Sequence, residues 1–450
     1  MYKKILIASL ALIAGLASCK KDDPTPSPNP PSGLTIDGVA STLEFYQLDT
    51  AHLSVAGVAK DAAAKAVWAV NGAKAAEGAT FDFTTAHPGK YEVTLTVDGK
   101  SAKHTYTVAP RFSEGAFLLN EGNFGNETGS LTYIHPSKKL VIDQAYYHVN
   151  GTKLGNVCQD LAFGNDQVYI ISQNGPKNGG EGLLTIARSN SLEKVKVYND
   201  EALAQSTPTH IAVLRDHIYI RTERDGILRG SSEGGFTPIT GTKKALKQRM
   251  AQIGERIFAL TKDNKILMIQ GTQVVRELDL SPAKPSGIAV SHDGKLWVST
   301  TSPNAILKVD PTPDNFVALD THVLDKSISS GWSATSAFFA HGDKLYFTGQ
   351  SSVIYCHDFA TNKTSQIIDV KTIDGVGTSA NMYYNSLGVD PATGELYYAA
   401  FEGYSTYNKK NVTMVLKADG TKLLLKEKVN SFPAGFYFIP NAASRTGANR

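Results

Sequence analysis

The sequence has few of the residues that usually declare a function. Among 450 residues there are three cysteines, Cys19, Cys158 and Cys356, and no Cys-x-x-Cys pair. A cysteine zinc site is therefore not written here, and neither is a dense disulfide framework. Neither sign of charge dominates, with 45 Lys plus Arg against 42 Asp plus Glu. Without the N-terminal Lys3 and Lys4 the balance is close to neutral, and no run of basic residues offers a footprint for nucleic acid. The eleven histidines never fall within four residues of one another, so no local metal clamp exists. There is no His-Glu-x-x-His and no P-loop. The three tryptophans, Trp68, Trp297 and Trp332, form no repeated docking motif of the quinoprotein kind. No long segment has a helical period, which points to an all-β chain. No enzyme activity and no cofactor are expected.

What the chain does have is a repeat. An apolar strand, a short polar turn and a second strand rich in Tyr, Ile or Val recur at Asp160, His210, Arg249, Gly287, Ser336 and Ser386. These starts are 50, 39, 38, 49 and 50 residues apart, the spacing of four-stranded propeller blades with variable loops. A seventh copy appears when the ends are joined, with a first strand from Phe432 and a second from Gly115. Such a split copy closes a ring, so residues 115–440 are expected to form a seven-bladed β-propeller, with 441–450 a polar tail. Cys158 and Cys356 fall in different blades and read as buried thiols.

The N-terminal part divides further. Residues 34–109 alternate as a small β-sandwich does, in Val67-Trp68-Ala69-Val70-Asn71-Gly72, Thr80 to Phe83, Tyr91 to Val97 and His104 to Val108. The first and third of these segments resemble PKD and other immunoglobulin-like modules, which implies a spacer whose Trp68 and Tyr91 lie in the core. Residues 1–18 comprise a basic start and an apolar run from Ile5 to Leu16, too short to span a membrane comfortably. The run ends in Leu16-Ala17-Ser18-Cys19, which resembles the lipobox of bacterial lipoproteins and implies lipidation of Cys19 as the first mature residue. Lys20-Lys21-Asp22-Asp23 is either a solvated charge cluster or, by resemblance, the signal that sends Bacteroidetes lipoproteins to the cell surface. Within 19–33, the Pro-rich stretch from Pro24 reads as a tether.

In a propeller the residues before each inner strand and after each second strand gather on one face around the axis. Those positions nominate Asn120, Glu121, Asn123, Phe124, Gln173, Asn174, Arg224, Arg249, Trp332, Tyr383, Tyr384, Asn385, Tyr404 and Phe432 as candidate ligand contacts. Gln159, Asp160, His210, Arg221 and Glu223 occupy equivalent positions. Amides and aromatic rings suit a large ligand bearing amides or hydroxyls. Glu121, Asn174, Asp263 and Asn304 are the oxygen ligands that a lactonase-type Ca²⁺ site would use.

Two stretches carry a further resemblance. Gly115-Ala116-Phe117-Leu118-Leu119-Asn120-Glu121-Gly122-Asn123-Phe124-Gly125, followed by Gly129-Ser130-Leu131-Thr132-Tyr133, looks like the opening blade of a Bacteroidetes family of surface propeller lipoproteins. Asn150-Gly151-Thr152-Lys153-Leu154-Gly155-Asn156 before Cys158 resembles the same family's second motif. The family is YncE-like and related to the cobalamin-capturing BtuG type. It implies an outer-membrane lipoprotein, exposed at the cell surface, that captures a small molecule such as a cobamide for a TonB-dependent transporter. Two alternatives stand beside this expectation: an adhesion or scaffold propeller that binds protein or glycan, and a metal-dependent hydrolase.

Overall fold

The computed structural model describes residues 33–39, 44–328, 336–349 and 351–440, the side chains of 381–385 excepted. The signal segment, Cys19, the tether, Trp332 and the polar tail lie outside the described residues. The contacts separate two compact units. The smaller is built on Ala51–Phe83 and Tyr91–Tyr106; the larger runs from Thr107 onward and takes in Thr84–Lys90 and the stretch up to Thr50.

The N-terminal region forms a three-stranded sheet and a five-stranded sheet. The expected strands are present at Val67–Val70, Thr80–Thr84, Gly89–Val97 and Lys100–Ala109. Inward alternation along Gly89–Val97 buries Val93, Leu95 and Val97. Trp68 is fully buried and its indole N–H donates to Gly78 O at 2.9 Å, so the ring's one polar atom is satisfied. A single helical turn at Lys60–Ala63 occupies the Ala-rich stretch.

Beyond it lie seven antiparallel sheets of four strands each. Blade 1 comprises Asn156–Gly164, Gln167–Gly175, Leu184–Arg188 and Lys194–Tyr198. Blade 2 begins with Pro208–Leu214 and His217–Thr222, blade 3 with Ala251–Ile253 and Arg256–Leu260. Blade 4 begins with Pro285–Val290 and Leu296–Thr301, blade 5 with Phe338–His341 and Lys344–Phe347, and blade 6 with Asn381–Val389 and Leu396–Phe401. Every repeated strand pair in the sequence is thus the inner pair of a blade. Blade 7 is the split copy: Pro433–Phe438 pairs with Ala116–Asn120, in register Phe436 to Leu118 and Phe438 to Ala116, outside which lie Ser130–His135 and Leu140–Ile142.

The second strands are almost wholly buried, because each is covered on both faces by neighbouring blades. In Ala116–Asn120 and Leu396–Phe401 every residue is buried. This explains why the repeats are apolar without strict alternation. Because neighbouring strands run antiparallel, the loops between second and third strands and the blade-to-blade connections share one face, here called the top. The short turns between first and second strands lie at the bottom.

Two glycines of the motifs at Gly115 and Asn150 have a packing explanation. Gly129 N–H donates to Gly155 O at 2.8 Å, stitching blade 7 to blade 1. A Cβ on Gly129 would collide with Cys158 Sγ, and one on Gly155 with Ser172 Oγ and Gly182 O. Cys158 and Cys356 are both free and buried.

Candidate functional site

Inner strands of several blades begin with an irregularity at the top face. The register shifts between Cys158 and Asp160, Pro208 and His210, Pro285 and Gly287, and Pro433 and Gly435. Such bulges re-aim the side chains beside them. In blades 1 and 2 the re-aimed residues include Asp160 and His210.

Asp160 is 2% exposed and joins four blades. Its Oδ1 accepts from Tyr437 OH of blade 7 at 2.7 Å, and its Oδ2 accepts from Ile211 N–H of blade 2 at 2.9 Å. Arg249, at the entry to blade 3, brings Nε within 3.4 Å of Oδ1 and lays its guanidinium 4.3 Å from the Tyr437 ring centroid. Burial pushes the Asp160 carboxyl up, against the pull of Arg249 and the two hydrogen bonds. Arg249 Nη2 is buried without a hydrogen-bond partner.

A second carboxyl lies nearby. Glu121 Oε1 accepts from Gln159 Nε2 at 2.7 Å, and Lys247 is the cation that acts on it. Burial raises Glu121 to about 8 in spite of both, and burial likewise lowers Lys247. His210 is held well below its ordinary value, first by burial and then by Arg221, Lys247 and Arg249 around it. Arg221 is spent on structure: it donates to Ala245 O and Thr209 Oγ1 and pairs with Glu223 at 2.9 Å. Burial opposes ionisation of Glu223, but Arg221 pulls it below the ordinary carboxylate value.

Glu121 titrates near 8 in the folded chain and near 4.5 when unfolded, so the folded state holds the extra proton between those values. Its contribution to stability therefore falls as pH rises through that window. Urea unfolding at pH 5, 6.5 and 8 should show Glu121→Gln gaining on the wild type as pH rises. The difference between the two proteins isolates Glu121 from His210, whose depressed pKa acts in the opposite sense. Parallel pH profiles would remove the assignment.

The rim is aromatic on one side. Phe432 sits 5.4 Å from Phe401, 5.8 Å from Tyr404 and 4.4 Å from Tyr407 between ring centroids. Phe432 is buried with φ of 50°, whereas Tyr404 is 59% exposed. Tyr407 OH donates to Glu127 Oε1 at 2.7 Å, and Ser431 Oγ and Asn123 N–H donate to Glu127 Oε2. Phe124 is exposed on the neighbouring loop, with Lys177 Nζ 3.3 Å from its ring centroid.

The structure therefore brings Glu121 and Arg249 to the axis and places Tyr404, Phe432, Asn123 and Phe124 on the rim. It uses other nominated residues differently. Asn120 is fully buried, donating to Ser130 Oγ and Thr132 Oγ1 and accepting from Ser431 N–H, so it locks blade 7 and has no face to offer. Asn174 donates to Asn156 Oδ1 at 2.8 Å. Gln173 is half-buried and Arg224 exposed. Tyr383, Tyr384 and Asn385 lie on the inner strand of blade 6, their side chains outside the described set, as is all of Trp332. Of the oxygen set a metal alternative would use, Asn174 donates to Asn156 Oδ1, Asp263 pairs with Lys244 at 3.1 Å, and Glu121 accepts from Gln159. Among the described residues no group of three or more His, Cys, Asp or Glu could hold a metal ion. Nothing local in the sequence flags Glu127 or Tyr407. Lys247 could have been found from its place just before Gln248 and Arg249.

A family model described as a domain of unknown function, DUF5074, matches residues 114–440. No curated protein sequence matches the chain. Among solved structures, a quinonprotein alcohol dehydrogenase-like protein from Bacteroides thetaiotaomicron is 14% identical with a TM-score of 0.58, covering 90% of this chain and 98% of its own. A putative 6-phosphogluconolactonase from Bacteroides fragilis is 11% identical with a TM-score of 0.47, covering 72% and 98%. A virginiamycin B lyase from Staphylococcus aureus is 12% identical with a TM-score of 0.40, covering 60% and 83%. The first likeness speaks to the fold alone. Trp297, fully buried 4.5 Å from the Phe359 ring, is a core residue here.

Proposed function

The chain belongs to the DUF5074 family, and we propose that it is a cell-surface lipoprotein whose propeller captures a small molecule at the top face. In this reading Cys19 carries the lipid, two or more acyl chains hold it in the outer membrane, and the Pro-rich tether lifts the folded part clear. The immunoglobulin-like module serves as a further spacer. The captured molecule, a cobamide or another amide-bearing compound, passes to a TonB-dependent transporter. The protein works by binding, without a cofactor and without catalysis.

One observation carries the proposal: a single face combines an aromatic rim at Phe401, Tyr404 and Phe432 with a partly desolvated set of charges at the axis. Rings supply broad apolar contact at low entropic cost, and the paired charges orient polar groups of a ligand. Exposed Tyr404 and Phe124 present the most ring surface to an incoming molecule.

Titration of the purified chain with cyanocobalamin, followed by heat and by the visible spectrum of the corrin, should give saturable binding. Tyr404→Ala should weaken it by about tenfold, the scale of one well-packed aromatic contact. Absence of both heat and spectral change would take cobamides out of consideration.

A further inference from the structure

A groove of about 350 Å³ opens on the top face beside blade 7, bounded by the loops around Glu127, Asn178 and Asn430 and by the short helix Ala145–Asn150. It is at the small end of ligand pockets, which run from ~300 to ~1,000 Å³. Its walls are unusual in what they leave unfilled. Asn430 is 6% exposed; its Nδ2 donates to Val412 O and Thr413 Oγ1, while its Oδ1 is buried with no partner. Asp143, half-buried, accepts from Thr132 Oγ1 and Gln144 N–H through Oδ1, and among the described residues no donor reaches its Oδ2. Asn178 donates through Nδ2 to Phe124 O and Glu127 O, which leaves its own Oδ1 open.

One buried acceptor without a donor, with two half-buried acceptors open beside it, suits a ligand rich in donors. The exposed Tyr147 ring, 43% accessible at the groove's edge, adds a flat apolar platform. Lys153 and Lys428 balance the Glu127 and Asp143 carboxylates in the lining, so the groove carries no net charge and suits a neutral ligand. Hydroxyl donors on a neutral ring that also has an apolar C–H face meet all three conditions. The backbone is consistent with a built site: Gln144, Asn178 and Lys428 all line the groove in left-handed conformations, at φ of 48°, 59° and 58°. Such conformations in non-glycine residues cost on the order of 1 kcal/mol or more and cluster where a ligand is clamped.

We propose that this groove binds a neutral saccharide ring, with Tyr147 under its apolar face and Asp143 and Asn430 accepting from its hydroxyls. The inference rests on reading the top face as a ligand-binding surface, and it names a ligand class and a place on that face.

Saturation-transfer NMR of the full chain with D-glucose, D-galactose, D-mannose and N-acetyl-D-glucosamine tests it. At least one sugar should show transfer, and Tyr147→Ala and Asp143→Asn should each weaken binding by tenfold or more. Tyr147 is exposed and Asp143→Asn keeps the side chain's shape, so the thermal midpoint should stay put in both. No transfer to any of the four sugars, or transfer undiminished in both variants, would overturn the assignment. Cyanocobalamin binding without sugar binding would end this inference and leave the capture reading standing. Sugar binding without cyanocobalamin binding would do the reverse for the cobamide.

Discussion

Replacing Asp160 with Ala should destabilise the propeller by about 3–5 kcal/mol, the cost of stranding one partner of a buried ion pair. Arg249 would keep its charge, with its guanidinium against Tyr437 and its Nη2 already without a partner. Tyr437 OH and Ile211 N–H would each lose their acceptor as well. The effect is large because Asp160 joins the inner strands of blades 1, 2 and 7 and the Arg249 entry to blade 3, so its loss loosens four blades at once. Asp160→Asn separates charge from hydrogen bonding. It keeps one carbonyl acceptor in place but strands the Arg249 charge all the same, so it should cost less than Asp160→Ala only by the hydrogen bond it retains, about 0.5–1.5 kcal/mol. Denaturant midpoints of the three proteins decide the matter. Equal losses would assign the effect to the charge, and a loss under ~1 kcal/mol for Asp160→Ala would remove the hub altogether.

The second large effect is expected at the closure. Deleting residues 432–450 removes the inner strand of blade 7 and leaves Ala116–Asn120 as an open edge at the centre of the ring. Phe436, Tyr437, Ala434 and Ile439 are all at most 8% exposed. A large apolar side chain of this kind contributes ~1.5–3 kcal/mol when buried. With the strand's backbone hydrogen bonds also gone, the sum is comparable to the entire stability margin of an ordinary domain, ~5–15 kcal/mol. The truncated chain should show no cooperative unfolding transition and should be cut rapidly by protease. A sharp transition within a few degrees of the wild type would mean that the ring does not depend on its closing strand.

The ring was legible because its signal is local and repeated. Each inner strand pair, such as His210 to Thr222, carries its own turn and its own apolar strands, and seven copies reinforce one another. The split copy at Phe432 and Gly115 was legible for the same reason. The pairing of side chains at the axis was not. Asp160 meets Tyr437 across 277 positions and Ile211 across 51, and no spacing in the sequence anticipates partners set by closure of the ring. Position alone placed Asn120 on the ligand face. Its side chain turns inward instead, because the strand end is covered by Ser431 and the hydroxyls of the next strand. Glu127 shows the converse: an ordinary loop residue in sequence, it becomes an anchor once Tyr407 and Ser431 reach it from blade 6 and the connection that follows.

The central claim is that ligand binds at the top face. Hydrogen exchange of the full chain with and without saturating cyanocobalamin tests it most directly. Protection should appear in the loops at 121–129, 402–410 and 428–432. Protection confined to the bottom turns at 165–166, 215–216 and 254–255 would contradict it, and none anywhere would remove cobamides as the ligand.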